Sequence, residues 1–177
     1  KSNCHTICFD EAGTGDKSFF RETLYQLATG NNTKTTIKHM NNPQLNSLVR
    51  IFNINSDIVI RNIVLVNGYH PAPSFYAGDT NGGGAINIIG GGLHLENSTL
   101  LNHTAYSSTT PKGTATESGG GAICVSGHTY LYVDNCNFMD NRVFAGAGNV
   151  AGGAIMFKAG SAFNVTNSVF INNSASS

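Results

Sequence analysis

Glu96 and Asp134 are the two residues of this chain whose types and spacing come closest to a reactive pair. Each is the fourth residue of an eight-residue segment that aligns without gaps over 58–65, 93–100, 131–138 and 163–170, so the fourth position reads Arg61, Glu96, Asp134 and Thr166. If the segments stack as neighbouring strands, the two carboxylates come within roughly 5 Å of each other. Carboxylates that close raise one pKa or attract a cation such as calcium. A positioned carboxylate pair is also the minimum for cleaving a glycosidic bond, and lyase chemistry on uronates adds a base such as Lys or Arg. The alternative is a solvated column in which Arg61 offsets the repulsion, a common arrangement where repeats align their charges.

Other chemical motifs fail on context. The Asp pairs and glycine-flanked histidine of polygalacturonases are missing, and Gly127, His128 and Thr129 only echo them. Gly146, Gly148 and Ala151 spell a dinucleotide fingerprint, yet a glycine corner and a strand follow where a helix is needed. No GxxxxGK[ST] or GxSxG element occurs, and the histidines lack HExxH spacing. His103 reads as a turn residue, because later copies of the repeat carry Asn141 and Asn173 at its position.

The elements that position these residues come from the repeat. GGGAI occurs at 82–86 and 119–123 and returns as GGAI at 152–155, each time about a dozen residues before an aligned segment. Self-similarity at 30 to 40 residues means one structural unit stacked on itself. Within a unit the apolar residues alternate, as at Ile58 and Ile60, Leu93 and Leu95, Leu131 and Val133, and Phe163 and Val165. Period two with Gly, Asn and Ser at the borders gives short strands and leaves no helix in the repeat. The expected fold is all-β: a right-handed, single-stranded parallel β-helix in one domain, 1–177.

Leu65, Leu100, Phe138 and Phe170 then form an interior column. Asn62, Asn97, Asn135 and Asn167 form an inward ladder of stacked amides. The glycine pair before Ala85, Ala122 and Ala154 marks a tight corner. Residues 46–177 hold about four coils. Residues 1–45 form a cap and a first irregular coil, with strands near Ile7 and Ile37 and a short amphipathic helix over 17–28, N-capped by Asp16, that plugs the end. No matching plug follows Phe170, so further coils or another molecule are expected to cover that end.

Ten basic and ten acidic residues cancel, and charged residues make up 11% of the chain, which argues against nucleic acid and against a polyanion groove. No apolar run is long enough for a membrane helix, and the sequence starts at Lys1 without a hydrophobic signal segment, a start expected of either a processed mature chain or an excised fragment. Four cysteines, Cys4, Cys8, Cys124 and Cys136, lean toward an oxidising compartment and allow three disulfide pairings. Cys136 serves equally well as an apolar filler between Ser98 and Ser168. No metal site or cofactor is expected, calcium at the carboxylate column aside.

Sequons fall at Asn31, Asn97, Asn102, Asn164 and Asn172. Asn97 lies in the inward ladder, whereas Asn164 points outward and Asn102 and Asn172 sit on a turn, which makes them the better glycan acceptors with Asn31. Segments 69–80, 106–117 and 143–150 are inserted at the same point of successive coils and emerge as loops on one side. Tyr69, His70, Phe75 and Tyr76 in the first loop supply aromatics suited to a glycan or protein ligand.

GGAI followed by FxxN, present as GGGAI with Phe138 to Asn141 and as GGAI with Phe170 to Asn173, resembles the repeat of the chlamydial polymorphic outer membrane proteins and related β-helix surface proteins. The pair is degraded at Leu100 to His103 and lost at Leu65 to Gly68. The resemblance covers about 46–177 and implies a secreted, passenger-like solenoid with an adhesive or structural role. The expected function is therefore non-enzymatic: an extracellular or cell-surface β-solenoid that self-associates or joins a larger surface assembly such as a fibre. The competing expectation is a carbohydrate-active β-helix, a polysaccharide lyase or hydrolase using Glu96 and Asp134.

Overall fold

A computed structural model of the chain describes residues 5–9, 35–39, 52–72, 82–107, 118–145, 150–158, 160 and 162–176. Two strands, β1 (His5–Phe9) and β2 (Thr35–His39), precede four coils. The first coil carries β3 (Phe52–Ile54), β4 (Ile58–Arg61), β5 (Ile63–Val66) and β6 (Tyr69–Ala72). The second repeats the order as β7 (Ile86–Ile88), β8 (Gly92–Glu96), β9 (Thr99–Leu101) and β10 (Thr104–Ser107). The third adds a two-residue strand before the set: β11 (Ser118–Gly119), β12 (Ile123–Val125), β13 (Tyr130–Asp134), β14 (Asn137–Met139) and β15 (Arg142–Ala145). The fourth follows the third, with β16 (Val150–Ala151), β17 (Ile155–Phe157), β18 (Ala162–Thr166), β19 (Val169–Ile171) and β20 (Ser174–Ser176).

Each strand pairs in parallel with its counterpart one coil away, so the strands sort into five sheets running along the stack. Among the described residues all regular structure is β. The registers follow the sequence alignment. Ile7, Ile37, Leu65, Leu100, Phe138 and Phe170 lie in one continuous column, and Leu65, Leu100 and Phe138 are fully buried. Ile58, Leu93, Leu131 and Phe163 form a second column, and Ile86, Ile123 and Ile155 a third. Leu65, Leu100, Phe138, Leu93, Leu131, Ile86 and Ile123 of these columns and the alanines at 85, 122 and 154 belong to one apolar core, with Ile155 packed against it, while Ile58 at the first coil is 39% exposed. The fourth coil is open: Phe163 and Phe170 are 48% and 46% exposed, and they line a shallow hollow of about 410 Å³ with Ala154, Ile155, Asn172 and Asn173.

Two glycines of each corner have separate reasons. Gly83, Gly120 and Gly152 adopt positive φ of 70°, 67° and 63°, and a Cβ there would collide with the carbonyl three residues on. Gly84, Gly121 and Gly153 instead sit against the backbone of the sheet formed by β6, β10, β15 and β20.

Three expectations change. The Asn62, Asn97, Asn135 and Asn167 column is not inward: it runs from half-buried to exposed, and all four residues have positive φ, between 45° and 56°. Asparagine is selected there because it tolerates the left-handed conformation that ends one strand and starts the next. The amides do stack, Asn97 donating to Asn62 and Asn135 to Asn97 at 3.4 Å, but Asn167 turns to Asp134. Second, the expected loops 69–80, 106–117 and 143–150 do not begin as loops: their first residues belong to β6, β10 and β15, strands of a fourth sheet, which places Tyr69 and His70 in β6 against Thr104 and Ala105. Third, Cys124 and Cys136 are buried and not bonded to each other; the Cys136 thiol faces the Leu95 and Asp134 carbonyls. The proposed helix over 17–28, Cys4, Phe75, Tyr76 and Asn31 lie outside the described residues, as does the side chain of Cys8.

Candidate functional site

The carboxylate column forms as the alignment requires. Arg61 pairs with Glu96, Glu96 with Asp134, and Asp134 with Thr166, each on consecutive parallel strands of the sheet β4, β8, β13, β18. Strand alternation turns all four away from the core. The two carboxylates are nevertheless committed to different partners. Glu96 is gripped by the Arg61 guanidinium through both oxygens, and His94 Nε2 lies 3.3 Å from one of them. Asp134 Oδ1 accepts from Thr166 Oγ1 at 2.7 Å and from Asn167 Nδ2 at 2.8 Å. The Arg61 hydrogen bond holds Glu96 below the ordinary carboxylate range, and the Thr166 and Asn167 hydrogen bonds hold Asp134 below it too. A proton donor to a leaving group needs the opposite, a carboxyl kept protonated near neutral pH.

No three His, Cys, Asp or Glu side chains among the described residues come together as metal ligands. No helix among them is long and apolar enough to cross a membrane. Of the sequons, Asn164 and Asn172 are exposed, while Asn97 and Asn102 are half-buried with their amides donating to Asn62 and Asn67.

Two groups of residues escaped the reading of the sequence. Outward on the carboxylate sheet, Tyr130, Tyr132 and His94 make an aromatic patch: the tyrosine rings lie 5.1 Å apart, and His94 meets Tyr132 edge-on at 5.9 Å. His94 and Tyr132 share an outward position of the aligned segments, and Tyr130 precedes its segment by one residue, opposite Gly92.

The second group is a buried polar ladder at Gly68, His103, Asn141 and Asn173. In each of its three steps a side chain accepts a hydrogen bond from the backbone N–H of the previous coil and donates to a carbonyl of that coil. His103 and Asn141 are fully buried. Burial pushes the His103 pKa down to about 3, so the ring is neutral at physiological pH.

Comparison with protein-family models, with curated proteins and with solved structures finds no match for this chain.

Proposed function

We propose that this chain is a rigid structural or adhesive β-solenoid of an extracellular or cell-surface assembly. One observation carries the reading: three successive coil-to-coil interfaces repeat the same parallel register, with apolar columns inside and a hydrogen-bonded amide column beside them. Such a stack is stiff along its axis and presents flat faces at fixed spacing, which suits display and lateral contact better than substrate closure. The winding we propose is right-handed, the sense that parallel crossovers take, with a helix over 17–28 across the first coil. The resemblance of GGAI and FxxN to surface-protein repeats supports the same reading, and the near absence of surplus charge disfavours nucleic acid as a partner.

The test is direct. Negative-stain electron microscopy and binding of labelled protein to cells or matrix are expected to show rods, ordered assemblies or adhesion. Dispersed particles with no adhesion would refute it. The in-register approach of Glu96 and Asp134 favours one second reading, cleavage of a polysaccharide. A panel of polysaccharides is expected to remain intact; cleavage that Glu96→Gln and Asp134→Asn both abolish would establish the enzyme instead.

A further inference from the structure

We propose that the outward face of the sheet β4, β8, β13, β18 is a binding platform for a neutral glycan chain. This rests on the adhesive reading and names its ligand class. A pyranose presents an apolar C–H face and a rim of hydroxyls that both donate and accept, so its receptor needs an exposed aromatic surface beside fixed polar groups. This face has both. Tyr132 is 37% exposed, and its ring adjoins Tyr130 and His94. Tyr130 lies flat because Gly92 beneath it has no side chain; a Cβ there would strike the ring. Asp57 stands beside its hydroxyl as a hydrogen-bond partner.

The polar groups stand on the next outward column. Arg61 and Glu96 lock one another in a two-point pair, leaving a guanidinium and a carboxylate in fixed orientation for a vicinal diol. Asp134 Oδ1 is held by Thr166 and Asn167, which fixes the carboxylate in place on this face. Tyr132 and Asp134 are two residues apart on one strand, about 7 Å, the reach of one sugar ring.

Charge selects among glycans. Asp57, Glu96 and Asp134 outnumber Arg61 on this face, and Arg61 is already neutralised, so uronate or sulfated chains are repelled. A chain of neutral hexoses or N-acetylhexosamines meets no such penalty.

Titration calorimetry with cellotetraose, chitotetraose and mannotetraose, and with tetragalacturonate as the charged probe, tests this on the full chain. At least one neutral tetrasaccharide is expected to bind saturably at millimolar concentration or below. Tyr132→Ala is expected to weaken it about tenfold, and Asp134→Asn several-fold, with the β circular dichroism unchanged. Tyr130→Phe, which keeps the ring and frees it from Asp57, is expected to weaken it less than Tyr132→Ala. The proposal fails if no neutral probe binds, if binding survives Tyr132→Ala, or if tetragalacturonate binds more tightly. Adhesion to cells without glycan binding would sink this site and leave the adhesive reading standing.

Discussion

His103 occupies in the second coil the place that Asn141 occupies in the third, and its imidazole reproduces the bonding of the amide. The ring accepts from the Gly68 N–H through Nδ1 at 2.8 Å and faces the Leu65 carbonyl through Nε2 at 3.1 Å. Asn141 accepts from the His103 N–H and donates to the Leu100 carbonyl, both at 3.0 Å. These partners fix the Nε2–H tautomer. Protonation would place a second N–H against the Gly68 N–H inside the stack, which is why the neutral ring belongs there.

Acid should therefore loosen the stack through this residue. The native pKa, about 3, lies below the unfolded value of about 6.5, so the unfolded chain binds the proton first. Stability from this group is complete above pH 6.5 and is lost progressively as pH falls toward 3. At pH 4.5 the loss is about 3 kcal/mol. Urea unfolding at pH 7 and 4.5 should show this drop in the wild type and a much smaller one in His103→Asn.

Removing the neighbour tests the ladder without titration. Asn141→Ala leaves the His103 N–H and the Leu100 carbonyl without their side-chain partner in a buried site. The expected cost is about 3 kcal/mol. At exposed Asn135 the amide matters less than the backbone, whose φ is 51°. Asn135→Gly should be close to neutral, whereas Asn135→Ala should cost about 1 kcal/mol. Chemical denaturation of the three variants separates the two roles of asparagine.

How much of this was legible follows from what repeats. The Leu65, Leu100, Phe138 and Phe170 column could be read because alternation fixes the face and the repeat fixes the register. The fourth sheet could not: Tyr-His-Pro-Ala, Thr-Ala-Tyr-Ser and Arg-Val-Phe-Ala have no register position at which all three carry the same residue, and Pro71 sits in the edge strand β6. Buried Ala105, Val143 and Ala145 betray its inner side. The two asparagine columns were exchanged for a related reason. Sequence shows that Asn recurs at 62, 97, 135 and 167, but a recurrent Asn serves positive φ as well as buried hydrogen bonding. The buried column was hidden because Gly68 and His103 interrupt it. For the carboxylates, spacing gave the proximity of Glu96 and Asp134 and put Arg61 and Thr166 in their column, yet which oxygen each donor holds, and the part of Asn167 from the next column, emerge only once the side chains are placed.

Core depth gives a graded test. Phe138 is fully buried and its ring stacks on Phe170 at 4.7 Å, while Phe170 is half-exposed. Phe138→Ala should cost about 4 kcal/mol, because it removes buried area and leaves a hole between two coils. Phe170→Ala should cost clearly less, since much of that ring already faces solvent. Equal losses in thermal unfolding would contradict the single shared core.

The glycines offer the sharpest contrast because identical substitutions meet different surroundings. A Cβ on Gly120 would strike the Ile123 carbonyl while φ is 67°. Relief requires moving backbone that donates to the fourth coil, since the Gly120 N–H bonds the Gly152 carbonyl at 2.8 Å. Gly120→Ala should therefore cost more than the 1–2 kcal/mol, roughly, of left-handed strain alone. Gly90 does not have a positive φ, and the atoms nearest an added Cβ lie 3.6 to 3.9 Å away on Asn55, ordinary contact. Gly90→Ala should be neutral or slightly stabilising by restricting the unfolded chain. Thermal melts of the two variants read the difference, and a destabilised Gly90→Ala beside a tolerated Gly120→Ala would show that the corner is not where the chain turns.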